Sequence, residues 1–149
     1  MNETNLRVPE FFEVIDNLIY LNKANRNDSF SEHVSLRLYI KNFCTVLCDI
    51  GRATGKTSYI KSRATSKNLV IVHNMRLKRE LYYDCVADVM SADTLENYSG
   101  GYFSGMHYNT IYIDEPRSVF AICSFDRIID IFGMMSDIPT FVLLGQPIL

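Results

Sequence analysis

Two short polar segments of this sequence contain the residue types that bind phosphate groups and divalent metal ions. The first, Gly51 to Ser58 (GRATGKTS), follows an apolar run at 43–50. Glycine lets backbone N–H groups curl around phosphate oxygens, and a helix that starts there adds unpaired N–H groups and its positive dipole end. Lys56 would then reach the β- and γ-phosphates of a nucleotide, and the Thr57 hydroxyl would bind Mg²⁺. The segment therefore predicts a phosphate-binding loop between a strand and a helix.

Every residue of this loop is a candidate contact with the nucleotide. The predicted contacts are Gly51, Arg52, Ala53, Thr54, Gly55, Lys56, Thr57 and Ser58. The usual pattern, G-x-x-x-x-G-K-[ST], has glycine at the position of Ile50, whereas in this chain the glycine comes one residue later. A turn that only caps a helix is the alternative interpretation of the segment.

The second segment is the acidic pair Asp114 and Glu115, which directly follows an apolar run at 110–113. We expect Asp114 to hold Mg²⁺ through a water molecule and Glu115 to polarise the attacking water as the general base. Gln146 follows another apolar run, at 139–144, and its amide can donate to phosphate and accept from water. A solvated loop and a polar turn residue are the respective alternatives.

Apolar runs alternate with segments of helical periodicity, which predicts the order β-α-β-α-β-α-β after an N-terminal helical region. The predicted strands are 43–50, 68–73, 110–113 and 139–144. One predicted helix begins at Pro9, a second is capped by Ser31, and three more cover 56–64, 74–90 and 118–135. The helix at 74–90 has an apolar stripe that includes Leu81, Tyr82, Cys85 and Val89. Thr94 to Glu96 is predicted as a turn or strand edge. This order predicts an α/β fold with one parallel sheet between flanking layers of helices. We expect residues 1–37 to form a helical segment and residues 38–149 the core of a single domain.

The candidate residues share one position relative to the predicted strands. The phosphate-binding loop follows the first strand, the acidic pair follows the third, and Gln146 follows the fourth. Ligands of parallel sheets bind beyond the carboxyl ends of the strands. We therefore expect these residues to meet in one site.

The composition of the chain excludes several classes of protein. Its 149 residues are 48% hydrophobic, which suits a folded domain and not a disordered chain. A formal net charge of −2 gives no overall attraction to nucleic acid, so such binding would need a local basic surface. No signal peptide or membrane-spanning run is apparent in the sequence. The four cysteines are Cys44, Cys48, Cys85 and Cys123, and they lack metal-binding spacing. We therefore expect reduced, buried thiols in a cytoplasmic protein. Cys44 and Cys48 are expected to lie on one side of the first strand.

Together, these motifs resemble those of the ASCE division of P-loop NTPases, in which a catalytic Glu directly follows the Asp that is linked to Mg²⁺. More narrowly, Arg52 to Thr57 (RATGKT) resembles the phosphate loop of phage and herpesvirus terminase large subunits, R-x-x-G-K-[ST]. The segments 68–79, 114–116 and 145–147 are similar to motifs of superfamily 1 and 2 helicases. The resemblance covers about residues 38–149, and it implies a RecA-like fold that binds ATP and Mg²⁺ and hydrolyses ATP.

The resemblance also implies roles for basic residues. Arg52 would stabilise the transition state in cis; otherwise Arg117 or Arg127 would do so from a neighbouring subunit, which predicts a homo-oligomer or a partner subunit that completes the site. A local basic surface would contact DNA or RNA, as in motors that package viral DNA, and a merely solvated helix face is the alternative. Its candidate residues are Arg76, Lys78 and Arg79, together with Arg63 and Lys67.

Three functions remain open from the sequence. The first is an ATPase motor or remodelling enzyme that acts on nucleic acid. The second is a nucleotide-dependent regulatory or protein-binding module with slow turnover, which the displaced glycine and the expected lack of a partner domain favour. A P-loop kinase is less favoured, because the sequence has no arginine-rich lid and an Asp-Glu pair suits the activation of water.

Overall fold

The structure, a computed structural model, describes residues 3–26, 35–49, 55–98, 100–103, 105–133 and 137–146. Helices and strands alternate along most of this length, as the sequence predicts. In chain order they are α1 (Glu3–Asn25), α2 (Leu36–Phe43), β1 (Thr45–Cys48), α3 (Lys56–Arg63), β2 (Asn68–Val72), α4 (Met75–Leu81), β3 (Asp88–Ser91), α5 (Ala92–Asn97), a 3₁₀ helix (Gly100–Phe103), β4 (Thr110–Asp114), α6 (Pro116–Phe120), α7 (Phe125–Phe132) and β5 (Thr140–Leu144).

The strands in the described part of the chain form one five-stranded sheet in the order β1-β5-β4-β2-β3, and every pairing is parallel. Every residue of β2, β4 and β5 is buried. Continuous burial of this kind occurs because helices cover both faces of a parallel sheet. The predicted α/β class and the parallel sheet with flanking helices are therefore confirmed.

Helices pack on the two faces of the sheet in separate hydrophobic clusters. On one face, Ile15 of α1, Ile60 of α3 and Leu77 of α4 pack with Val70 and other alternate strand residues. On the other face, α2 and α5 to α7 pack on the intervening strand residues, through side chains that include Tyr39, Leu95, Val119 and Ile128. The helices that follow β1 and β4 thus lie on opposite faces, and the space between such connections is where open parallel sheets bind ligands.

The sequence prediction of one long helix over 74–90 is wrong. Helix α4 ends at Leu81, and the chain then turns to form β3, a fifth strand at the edge of the sheet. The apolar residues at 81, 85 and 89 have helical spacing, which made the segment resemble one helix. As an edge strand, β3 is only partly buried, so it lacks the continuous apolar run that identifies the central strands.

Several predicted helix boundaries also differ from the structure. The predicted helix at 118–135 is two helices, because the Ser124 hydroxyl accepts from the N–H of Arg127 and starts α7 anew. The predicted turn or strand edge at 94–96 belongs to α5. Helix α1 begins at Glu3 and not at Pro9, and Ser35 caps α2. Ser31, the predicted cap of that helix, lies outside the described residues.

The cysteine prediction is partly right. None of the four cysteines forms a disulfide, and all but the half-buried Cys85 are buried. However, Cys44 and Cys48 do not lie on one side of β1. Cys44 ends α2 and packs in the cluster of one face, whereas Cys48 lies in β1 and packs in the cluster of the other face.

Candidate functional site

The carboxyl ends of β1, β5 and β4 are adjacent, and backbone hydrogen bonds continue from them into the loops that follow. The N–H of Gly145 donates to the carbonyl oxygen of Cys48 at 3.2 Å, and the N–H of Glu115 donates to that of Leu144 at 3.0 Å. Strand β5 lies between the other two strands, so Gln146 follows a strand that separates the phosphate-binding loop from the acidic pair. The sheet therefore places Lys56, Asp114, Glu115 and Gln146 together at the carboxyl ends of its strands.

Only the last part of the predicted phosphate-binding loop is described. Residues 50–54, which include Gly51, Arg52, Ala53 and Thr54, lie outside the described residues. Gly55 has a φ of 88°, a left-handed conformation that favours glycine, and it precedes the eight-residue helix α3. No side-chain cap from a described residue is seen at this helix, so its first N–H groups keep their capacity to bind an anion.

Lys56, the first residue of α3, is only 7% exposed, although it carries a charge. Its ammonium Nζ lies 2.6 Å from Oε1 of Glu115, which is 43% exposed at the side chain. A buried ammonium requires a counter-ion, because the loss of hydration is costly. The two predicted catalytic groups thus meet as an ion pair in the structure.

Thr57 and Asp114, the predicted metal ligands, are also in direct contact. The Thr57 hydroxyl donates to Oδ2 of Asp114 at 2.9 Å. The hydroxyl of Tyr82 donates to the same oxygen at 2.5 Å. Burial of Asp114 raises the pKa of its carboxyl above the usual value, although the bonds from Tyr82 and Thr57 oppose this shift. Burial, together with the Asp114 charge, also raises the pKa of the Tyr82 hydroxyl.

These contacts fit a magnesium ion shared with phosphate groups. Within the described ranges, no group of three or more His, Cys, Asp or Glu side chains is close enough to hold a metal ion. A hydroxyl and a carboxylate are oxygen ligands, which Mg²⁺ prefers, and phosphate oxygens and water would supply the remaining positions. Thr57 and Asp114 would therefore hold the metal only together with a phosphate-containing ligand.

Glu115 has an unusual backbone conformation. Its φ of 57° and ψ of 71° make it the one non-glycine residue with positive φ in the described part of the chain. Such conformations cost energy and concentrate at functional sites. Gly145 lies directly against it: a Cβ added to Gly145 would lie 2.9 Å from Oε2 of Glu115 and 2.9 Å from Cδ of Pro116. The glycine after β5 therefore makes room for the Glu115 side chain.

Gln146 is held by Arg117, one of the predicted arginine candidates. Nη1 of Arg117 donates to Oε1 of Gln146 at 3.1 Å, which leaves the amide N–H groups of Gln146 as donors. The other candidate, Arg127, donates to the carbonyl oxygen of Tyr98 at 2.8 Å and faces Glu96 at 3.6 Å.

A cavity of about 310 Å³ opens beside these residues. It has a polar wall from the predicted site, including Ser58, and an apolar wall that the sequence did not indicate. The apolar wall comes from the end of β2, from α4 and from the residue that follows α4; its residues are Val72, Leu77, Leu81 and Tyr82. His73 also lines the cavity. Tyr82 had only the signal of a member of an apolar helical stripe, so its polar contact with Asp114 was missed.

Three of the predicted nucleic-acid residues lie on α4, and none of the three lines this cavity. Lys78 and Arg79 line a second and larger cavity of about 700 Å³, and Arg76 is exposed on the same helix. Aromatic and apolar side chains complete that cavity: Tyr82, Tyr83, Cys85, Ala87, Val89, Met90, Tyr102, Phe103 and Met106, with Asp88 and Thr94. No carboxylate of the described residues forms an ion pair with Lys78 or Arg79.

The two remaining nucleic-acid candidates lie elsewhere. Arg63, at the end of α3, forms hydrogen bonds with both carboxylate oxygens of Asp16 in α1 at 3.0 to 3.1 Å. Lys67 is exposed at the turn before β2, at the opposite end of that strand from the candidate site. The structure therefore separates them from the group on α4.

The chain matches no protein-family model, no curated protein and no solved structure in comparisons with known proteins. No described helix is both long enough and apolar enough to cross a membrane.

Proposed function

We propose that this protein binds ATP with Mg²⁺ through the phosphate-binding loop at 51–58 and hydrolyses it at the acidic pair after β4. The contacts that support this most strongly join residues far apart in sequence. Lys56 meets Glu115, and Thr57 meets Asp114, although the partners are 59 and 57 positions apart in the sequence. These contacts bring together a phosphate-binding cation, a general base and the oxygen ligands for a metal, which phosphoryl transfer to water requires.

The Lys56–Glu115 ion pair would be exchanged for a contact between Lys56 and phosphate when ATP binds. The γ-phosphate of ATP would attract the Lys56 ammonium, because a phosphate carries more charge than a carboxylate and offers several acceptor oxygens. Glu115 would then lose its partner and be able to accept a proton from water. ATP binding itself would thus prepare the general base.

Each of the other residues then has a distinct role. Thr57 and Asp114 would hold Mg²⁺, and bound Mg²⁺ would neutralise charge on the phosphate oxygens. Glu115 would orient the attacking water and take its proton as the water oxygen bonds to the γ-phosphorus and the bond to ADP breaks. The Gln146 amide, held through its oxygen by Arg117, would donate to the γ-phosphate.

We also propose that the fold is that of a RecA-like P-loop ATPase, which the resemblance of the motifs to those of terminase and helicase ATPases supports. The required arginine would be Arg52 or a residue of a neighbouring subunit in a homo-oligomer. Arg127 is a poor candidate for that role, because it is engaged with Tyr98 and Glu96 of its own chain. Turnover that rises with protein concentration, together with sedimentation of a complex, would identify an arginine donated between subunits.

The test is to measure binding of a fluorescent ATP analogue with Mg²⁺, and release of phosphate from ATP, for the Lys56→Ala variant. We expect affinity to fall about 10- to 100-fold, since a hydrogen-bonded charge contact contributes about 1.5–3 kcal/mol. Lys61→Ala is the matched control, because Lys61 lies on the same helix and pairs with Asp84 at the surface. A Lys56→Ala protein that still binds ATP tightly would overturn the proposal.

A link to nucleic acid is the second candidate function, and the larger cavity supports it. Lys78 and Arg79 offer positive charge there and form no ion pair with a described residue, although Asp88 also lines the cavity, and the exposed rings of Tyr83 and Tyr102 lie nearby. Positive charge beside stacking aromatic rings is the composition of surfaces that bind single-stranded nucleic acid. We propose that this cavity contacts DNA or RNA and that the contact stimulates ATP turnover.

Stimulation experiments separate this function from the regulatory alternative. Single-stranded and double-stranded DNA and RNA should be added to the protein while phosphate release is followed. Faster release with any of them would support the nucleic-acid link. Slow turnover that none of them changes would instead favour a regulatory module.

A further inference from the structure

Tyr82 makes the shortest polar contact of the candidate site, although the sequence placed it in an apolar stripe. It follows the last residue of α4 and is 3% exposed. Its ring packs in the hydrophobic cluster that holds α1, α3 and α4 on the sheet. Its hydroxyl reaches Oδ2 of Asp114 at 2.5 Å. A buried phenol hydroxyl needs a partner, and here the partner is the carboxylate expected to bind the metal.

The hydrogen bonds at Asp114 are asymmetric. Tyr82 and Thr57 both donate to Oδ2, and no donor among the described residues reaches Oδ1. Two donors on one oxygen prevent rotation of the carboxylate and aim the other oxygen away from them. A ligand carboxylate oriented in this way needs less reordering when it accepts a hydrogen bond from water bound to a metal.

We propose that Tyr82 is a positioning residue that holds the Asp114 carboxylate in the orientation needed for Mg²⁺ binding. This inference rests on the proposed function, because it assigns Asp114 to the metal. Tyr82 itself neither binds the metal nor touches the reacting phosphate. The backbone of α4 places it, since the N–H of Tyr82 donates to the carbonyl oxygen of Lys78 at 3.1 Å.

The chain contains a matched control for this inference. Tyr108 is also buried, and its hydroxyl also donates to a carboxylate, Oδ2 of Asp88 at 2.8 Å. Asp88 begins the edge strand β3 and has no part in the proposed metal site. The variants Tyr82→Phe and Tyr108→Phe therefore each remove one buried tyrosine–aspartate hydrogen bond, but only the first removes it from the metal carboxylate.

The experiment measures binding of Mn²⁺, as a paramagnetic substitute for Mg²⁺, by electron paramagnetic resonance with a non-hydrolysable ATP analogue present. We expect Tyr82→Phe to weaken Mn²⁺ binding about 10-fold, the lower end of the effect of losing a partner of a metal ligand. Tyr108→Phe should bind Mn²⁺ like the unchanged protein. Binding of the ATP analogue in EDTA should be equal in all three proteins, and thermal unfolding would show that each is folded.

The outcomes separate this inference from the proposed function. Equal Mn²⁺ affinity of the two variants, with similar losses of thermal stability, would show that Tyr82 is only structural and would overturn the inference. If Tyr82→Phe weakens Mn²⁺ binding but the unchanged protein releases no phosphate from ATP, the inference stands and hydrolysis does not. An unchanged protein that binds no Mn²⁺ with the ATP analogue would overturn both.

Discussion

The two cavities of this protein share the wall formed by Tyr82 but differ in chemistry. In the smaller one, charged and polar groups from distant segments meet one another, as Lys56 does Glu115. The larger one, with more than twice the volume, has Lys78 and Arg79, which form no ion pair with a described residue, although Asp88 lies in the same lining. Size alone would select the larger cavity as the active site. Convergence of the proposed catalytic groups favours the smaller one, and basic side chains beside aromatic rings suit the larger one to the proposed docking of nucleic acid.

The largest effect should come from Glu115→Gln, which tests whether chemistry occurs in the smaller cavity. Glutamine keeps the shape of the side chain but cannot accept a proton from water. We expect the rate of phosphate release to fall by about 10²- to 10⁴-fold, the range for a general base, while binding of ATP with Mg²⁺ is kept. The measurement is phosphate release at saturating ATP alongside binding of a fluorescent analogue.

Glu80→Gln is the control for this variant, because Glu80 is an exposed residue of α4 that does not line the smaller cavity. It should hydrolyse ATP at the rate of the unchanged protein. If Glu115→Gln also retained that rate, Glu115 would not be the base, and the contrast between the two cavities would lose its chemical basis.

A second prediction concerns the packing that supports the smaller cavity. Gly145→Ala should lower the free energy of unfolding by about 1–3 kcal/mol and slow turnover, because the new Cβ would meet both Glu115 and Pro116 at a φ of 149°. Gly105→Ala is the matched control: its φ is also positive, at 89°, but an added Cβ there has no neighbour within 4 Å. Urea unfolding and phosphate release would be measured for both. If the two variants had equal turnover, Glu115 would not be displaced by the new Cβ. Backbone strain alone would then explain the loss of stability in Gly145→Ala.

A third prediction is that the smaller cavity trades stability for function. Without metal, Asp114→Asn should raise the unfolding temperature by about 3 °C, which is roughly 1 kcal/mol for a chain of this size. Burial raises the pKa of Asp114 in the folded protein, so its stabilising contribution is present below the unfolded pKa of about 3.9 and is lost as the pH rises through the folded value. The gain from asparagine should therefore be small near pH 4 and full at neutral pH.

Calorimetry of the metal-free proteins across this pH range would check the gain. Asp88→Asn provides the comparison, since Asp88 also accepts from a tyrosine but is exposed, and it should show no such gain at neutral pH. A loss of stability in Asp114→Asn at neutral pH would contradict the prediction and indicate that the ionised carboxylate stabilises the fold.

The sequence was sufficient to predict the smaller cavity's polar residues, because their chemistry is local. Lys56 and Thr57 follow a glycine between a strand and a helix, and Asp114 and Glu115 end an apolar run. Strand ends of a parallel sheet converge, so the expectation that these residues meet followed from the predicted order of elements. The Lys56–Glu115 ion pair did not follow, since it depends on which carboxylate is nearest to a buried ammonium in three dimensions.

The larger cavity could not be predicted in the same way. It depends on β3, whose partial burial at the sheet edge gave no strand signal, and on Tyr102, which approaches from the 3₁₀ helix. Periodicity along one segment also contains no information about which strands become neighbours, so the order β1-β5-β4-β2-β3 had to come from the structure. Tyr82 was misread for a related reason: its spacing indicated an apolar stripe, whereas its hydroxyl lies against a carboxylate.

The smallest effect should be seen in the larger cavity, where Lys78 and Arg79 are proposed to contact phosphates of DNA or RNA. Replacing both with alanine should reduce the slope of log affinity against log salt by about 2, one for each lost phosphate contact, and leave basal ATP turnover unchanged. Arg76→Ala is the control, since Arg76 lies on the same helix but does not line the cavity. Titration of labelled single-stranded DNA at several salt concentrations would measure the slopes. If Arg76→Ala changed the slope as much per residue, the whole basic face of α4 and not the cavity would attract the nucleic acid, and the docking role assigned to the larger cavity would be wrong.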